Sequence, residues 1–141
     1  MNTTYIEPTD AAVEAFLALG IEGPVVMLNL LRFRKIADYS AAPELAPERP
    51  ISGAAAYKHY LEIVSPHLGK YGGELIFMGK AGPMLIGPDG ERWDAGLLAR
   101  QRSTQALVAA LRDPAYLALA AHRIAALEDT RVLPLLEGPI Y

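Results

Sequence analysis

Residues 25–34 read VVMLNLLRFR, the most apolar continuous run in the chain, yet one that carries Asn29 and Arg32. Its β-branched start and its length of ten residues predict a buried strand rather than a helix. Period two places Val25, Met27, Asn29, Leu31 and Phe33 on one face and Val26, Leu28, Leu30, Arg32 and Arg34 on the other. Both faces are mostly apolar. A strand covered on both sides belongs in the middle of a sheet, so this one is expected to be central.

Upstream, Thr9 or Asp10 can cap a short helix over AAVEAFLALG, with Val13, Phe16 and Leu17 as its apolar stripe and Gly20 as its stop. Gly23 and Pro24 then separate that accessory helix from the strand. Downstream, residues 35–50 form a polar loop with prolines at 43, 47 and 50, composed to be mobile. Ser52 caps a helix to about Tyr71 in which Tyr57, Leu61, Val64 and Leu68 recur at helical spacing and should face the sheet. Pro66 interrupts that pattern and predicts a kink or break near Ser65.

Gly72 and Gly73 lead into ELIFMGKAG, a second strand. The turn-rich stretch around Gly87-Pro88-Asp89-Gly90 joins it, as a hairpin, to a third strand, WDAGLLAR, at residues 93–100. Ser103 caps TQALVAALR, and Asp113-Pro114 restarts a helix through about Leu127. The final strand, TRVLPLLE, contains Pro134, which cannot donate to a ladder and so belongs at an edge.

The order is thus helix, then β-α-β-β-α-β, the ferredoxin-like split motif of the α+β class. Residues 1–22 would be the accessory piece and residues 23–137 the core of a single domain. In this topology the first and third strands are antiparallel neighbours, which brings Arg32 and Arg34 toward Trp93 and Asp94.

Composition narrows the function classes. The 141 residues suit one domain. The 52% hydrophobic content is slightly high for a soluble domain and hints at one extra buried surface, such as a dimer interface. A net charge of -3 argues against nucleic acid as a partner. Without cysteine there is no disulfide, thiol nucleophile or thiolate metal site, a pattern compatible with a reducing compartment. No signal peptide is read at the N-terminus, and no apolar run reaches the ~20 residues of a membrane span. A cytoplasmic protein with no membrane partner is expected.

The motifs VMLNLLRF, ISGAAAYKHY, YGGELIFMG, LIGPDGERWD, DPAY and HRIAALEDTRVLP together resemble a widespread bacterial family, labelled a domain of unknown function, within the dimeric α+β barrel superfamily. The likeness runs from about Val25 to Pro134. It implies two ferredoxin-like protomers with facing sheets. The superfamily includes cofactor-independent monooxygenases, haem-degrading oxygenases and small-molecule isomerases. One departure stands out: the resemblance leads one to expect Tyr-Pro-Ser or Phe-Pro-Ser before the second core helix, where this chain has Gln101-Arg102-Ser103. Only the capping serine matches.

Asn29 is the first candidate for holding a small molecule, because an amide in an apolar setting can pair with a carbonyl or enolate. The bland reading is a buried amide satisfied by neighbours. Arg32 and Arg100 could each clamp a carboxylate, although Arg32 pairing with Asp94 or a helix acid is the structural alternative. Asp94 and Arg100 lie about 20 Å apart along one strand and cannot share a site within a protomer. Trp93 could cover an aromatic ligand or simply pack in a core or interface. His59 is the candidate for proton transfer or axial haem ligation, against the commoner solvated histidine. His59 and His67 stand eight residues apart on one helix, about 12 Å of rise, too far for a shared ion. His122 carries no motif, and Arg123 is expected to pair with Glu128 or another acid. No triad, phosphate loop or metal motif is present, and no cofactor is expected.

The sequence therefore points to a homodimer that binds a small organic molecule in an apolar pocket, with cofactor-free oxygenation or isomerisation as the chemistry the superfamily suggests. The alternative is a non-catalytic dimeric ligand-binding or interaction module, favoured if no titratable group faces the pocket.

Overall fold

Strand β1 (Val25–Phe33) lies in the interior of a sheet ordered β2-β3-β1-β4 in the computed structural model, which describes residues 3–140. It pairs with β3 (Ala95–Gln101) and β4 (Leu127–Leu136), β2 (Glu74–Lys80) pairs with β3, and every pairing is antiparallel. The helices are α1 (Asp10–Ala18), α2 (Gly53–Lys70), α3 (Thr104–Arg112) and α4 (Pro114–Ala126). This is the expected ferredoxin-like α+β order with an added N-terminal helix, and β4 is an edge strand as Pro134 requires.

Local chemistry sets the helix ends. Thr9, Ser52, Ser103 and Asp113 each accept a backbone N–H of the first turn that follows them. The end of α2 is a Schellman motif. Gly72 adopts φ +84°, its N–H donates to Gly69, and the N–H of Gly73 donates to Leu68. Asp113 ends α3 and starts α4, and its carboxylate also accepts the Tyr71 hydroxyl at 2.7 Å.

Three expectations need correction. α2 continues unbroken through Pro66, because the donor that proline lacks lies on the exposed side while Val64 and His67 anchor the helix on its buried side. The buried stripe of α2 is rotated from the apolar spacing: Gly53, Ala56, Tyr57, Tyr60, Val64 and His67 are buried, and Leu61 and Leu68 only half so. Residues 35–50 are tied down at several points. The N–H of Ala37 donates to Ile51 and that of Asp38 to Ala125, Tyr39 is buried, and Pro43–Leu45 forms a 3-10 turn. Just past β1, the backbone of Arg34 joins Ala126 and Gly53.

That last contact organises the fold. The N–H of Arg34 donates to Ala126 and that of Gly53 donates to Arg34, both at 2.9 Å. A Cβ on Gly53 would sit 2.3 Å from the Arg34 carbonyl oxygen and 2.5 Å from that of Ala126. The start of α2 can therefore approach the end of β1 only because residue 53 has no side chain.

The two faces of the sheet differ. One packs on the helices and buries Val25, Met27, Leu31 and Leu97. The other carries Val26, Leu28, Leu30, Leu98, Leu133 and Leu135, none of which is buried. Phe77 of β2 lies beside Leu98 on that open face and is 61% exposed. Among the described residues no helix is long and apolar enough to cross a membrane.

Gly53→Ala is expected to lower unfolding stability by about 1–3 kcal/mol through backbone displacement. Chemical denaturation of the two proteins would measure it. An unchanged midpoint would mean that the junction yields without cost.

Candidate functional site

Three places in the molecule gather polar or aromatic groups. The first is an apolar crevice of about 100 Å³ between α2 and the β2–β3 half of the sheet, lined by Tyr57, Tyr60, Leu61, Val64, Leu75 and Leu97 among others. Tyr57 and Tyr60 reach it because they follow Gly53 and Ala56 on the helix face that packs closest to the sheet. The Tyr60 hydroxyl shares a 2.9 Å hydrogen bond with that of Tyr116 on α4. The Tyr57 ring tilts against Phe33 and Tyr60, with centroids 5.5 and 5.4 Å away.

Burial pushes the Tyr57 phenol up to about 12, although Arg123 pulls the other way. Burial pushes Tyr60 higher still, reinforced by Tyr116. Both phenols stay protonated at neutral pH. They can donate and accept hydrogen bonds, but they cannot serve as a general base.

The second place is the end of the sheet where β1 finishes. Arg32 lies 4.9 Å from the centre of the Trp93 ring, and Arg131 lies 5.3 Å from it. Arg131 also stacks on Tyr5. Asp129 sits among them, 3% exposed, and accepts the N–H of Tyr5 at 2.8 Å and the guanidinium of Arg131. Burial alone would raise the Asp129 carboxyl, but the Tyr5 N–H and Arg131 outweigh it and hold the group below its ordinary range. Arg32 approaches Asp129 at 3.6 Å and donates from Nε to the Arg92 carbonyl at 2.7 Å. Asp94, the partner expected for Arg32, instead accepts the N–H of Phe33 and pairs with Arg92. Trp93 is buried, and its indole N–H has no partner among the described residues. It also forms part of the wall of an open hollow of about 400 Å³ in the connection between β2 and β3.

The third place joins α2, α4 and the loop after β1. The Tyr39 hydroxyl and Nδ1 of His122 are 2.8 Å apart, and the His59 ring stands edge-on to His122 with centroids 4.7 Å apart. Burial, then the charge of His59, lowers the His122 pKa. His67 is separate and buried. Its Nε2–H donates to the Ala110 carbonyl at 2.8 Å.

Of Asn29, Arg32, His59, Trp93 and Arg100, Arg32 and Trp93 come together. Asn29 lies on the helix-covered face beside Leu97, and its Nδ2 donates to the Met27 carbonyl of its own strand at 3.1 Å. Arg100 stands at the opposite end of the open face from Arg32 and pairs with Glu74 and Glu137. His59 points away from the crevice toward His122. Arg123 does not pair with Glu128; its guanidinium donates to the Ile6 carbonyl at 2.6 Å.

The Tyr60–Tyr116 pair, the Tyr39–His122 pair and the buried Asp129 carry no sequence motif. For Tyr60 alone a local signal exists, its spacing of four from Ala56 and seven from Gly53.

No protein-family model matches the chain, and neither does any curated protein. Solved structures do. The RPA0582 protein of unknown function from Rhodopseudomonas palustris is 38% identical, with a TM-score of 0.83, over 94% of this chain and 96% of that one. A methylated form of the RPA0582 protein is 37% identical, with a TM-score of 0.86, over 99% and 98% of the two chains. A dabb family protein with a ferredoxin-like fold (mll5499) from Mesorhizobium loti is 12% identical, with a TM-score of 0.50, over 83% of this chain and 99% of that one. The last likeness is one of fold alone.

Asp129 gives the charged cluster a defined acid response. Its folded pKa is below the unfolded value of 3.8, so its stabilisation is present above that value and is lost as pH falls through the folded one. Denaturation midpoints of the wild-type chain should therefore drop as pH falls below about 5 and on through the folded pKa, and Asp129→Asn should flatten that part of the drop. Equal slopes in the two proteins would remove Asp129 as its source.

Proposed function

The chain belongs to the family of the Rhodopseudomonas palustris RPA0582 protein of unknown function, and on that premise we propose that it is a homodimer that binds a small organic molecule without catalysing its conversion. The observation that carries the dimer is the open sheet face. A contiguous apolar patch on a monomer rarely exceeds a few hundred Å², and larger ones mark interaction sites. Here β2, β3, β1 and β4 all contribute apolar side chains to one surface, and Phe77 and Leu133 are 61% and 55% exposed. Arg100 with Glu74 and Glu137 at one end, and Arg32, Arg92 and Glu128 at the other, supply a polar rim. A second copy would cover the apolar centre and leave the charges at the edge.

The ligand site proposed is the crevice beneath α2. Its walls are mainly aliphatic and aromatic, and the polar residues along it are Tyr57, Tyr60, Ser65, Glu74 and Gln101, a composition suited to a small, largely apolar molecule bearing a few hydrogen-bonding groups. Cofactor-free oxygenation or isomerisation would require a group that takes up a proton. The phenols hold theirs, the Glu74 carboxylate at the crevice edge is paired with Arg100, and His59 faces elsewhere, which is why the binding reading is preferred to an oxygenase or isomerase. Asn29, next to Leu97 on the same face, would join the site by turning its amide from Met27 toward the ligand. Arg32 and Trp93, and Arg100 at the far end, are proposed to act at the rim between the two sheets.

Light scattering of the wild-type chain should give twice the protomer mass, and Leu133→Glu should give a monomer that remains folded by circular dichroism. A wild-type monomer would overturn the facing-sheet reading. For the crevice, a thermal-shift panel of small aromatic ketones and esters should yield a stabilising compound whose effect Leu61→Trp abolishes. A panel without any such compound, or one whose effect survives Leu61→Trp, would sink the crevice as the binding site.

A further inference from the structure

The histidine pair on the α2–α4 surface has a geometry that neither the sheet face nor the crevice requires. His59 and His122 lie 63 residues apart in sequence, on helices that pack against each other, and their ring centres are 4.7 Å apart with planes at 85°. A divalent ion about 2.0–2.1 Å from an imidazole nitrogen lies roughly 3.2 Å from that ring's centre, so two imidazoles on one ion have centres about 4.5–5.2 Å apart for square to tetrahedral angles. The observed separation falls inside that interval.

We propose that His59 and His122 together bind a borderline divalent cation of the zinc, nickel or copper class, with water filling the remaining coordination positions. Tyr39 is the positioning residue. Its hydroxyl fixes Nδ1 of His122 at 2.8 Å, and with Nδ1–H donating to the phenol oxygen the lone pair of Nε2 is free for the metal. Tyr39 is itself buried, 8% exposed, and belongs to a loop whose neighbouring N–H groups are bonded to Ile51 and Ala125. The ring of His122 is thus held from behind. His59 is exposed and free to turn its nitrogen toward the same point. Imidazole suits the later first-row ions better than magnesium or calcium, which prefer oxygen. Among the described residues no group of three or more histidines, cysteines or acids could hold a metal, so the protein supplies two ligands and the ion stays exchangeable. His59 and His67, eight residues apart on α2, are too far from each other to share an ion. The fold instead brings His122 beside His59.

The test uses the full-length chain and zinc chloride. Nitrogen-resolved NMR of the imidazole rings should show zinc shifting His59 and His122 and leaving His67, whose Nε2 is committed to Ala110, as the internal reference. Calorimetry should reach saturation at a single zinc per chain. His59→Ala, at an exposed position, should abolish that binding while the fold is retained. Tyr39→Phe should weaken it about tenfold or more, the usual effect of losing a partner behind a ligating histidine. Zinc that shifts neither ring, or that binds His59→Ala as tightly as wild type, overturns the site. An unchanged affinity in Tyr39→Phe removes the positioning role.

Discussion

At the end of β1 three backbones meet with no side chain between them. Arg34 donates to Ala126 and accepts from Gly53, so the exit of the central strand, the start of α2 and the end of α4 are joined by direct amide contacts. Everything that follows depends on that closeness. It places α2 and α4 side by side on one face of the sheet, leads α4 directly into β4 at Leu127, and leaves the loop after β1 pinned through Asp38 to Ala125. A Cβ at residue 53 would push on two carbonyl oxygens at once.

Because both long helices lie on one side, the sheet is left with one bare face. β1 is apolar on both sides, yet of its residues only Val25, Met27 and Leu31 are buried, while Val26, Leu28 and Leu30 are partly open. The hydrophobic effect acts on area regardless of which chain covers it, so such a face is a driving force for association. The charged groups at its two ends are largely paired with one another already. They can border an interface without leaving a buried charge alone.

The helix side has a different character. Burial of Tyr57 and Tyr60 raises their phenols, which keep their protons and act as fixed hydrogen-bonding groups, that of Tyr60 toward Tyr116. On the outer surface of the same two helices, His59 and His122 present the titratable nitrogens that the crevice lacks.

The chain's periodicities were enough to determine the element order, the central place of β1, the edge place of β4 and the caps at Ser52, Ser103 and Asp113. Each of these depends on neighbours within a few residues. The sequence also assigned Asn29 and Arg32 to opposite faces, since strand alternation is local. What lay beyond it were pairings between residues far apart in sequence. Arg32 turned from Asp94 to Asp129, Arg123 turned from Glu128 to Ile6, and His59 met His122 rather than standing alone in solvent. The stripe of α2 was likewise set by tertiary structure. Gly53 forces the helix close to the backbone of β1 and α4, and that approach buries Tyr60 and His67 while leaving Leu61 and Leu68 at the margin. Local spacing determines which residues can share a face; which face is buried depends on how closely two backbones approach, and only the folded chain decides that.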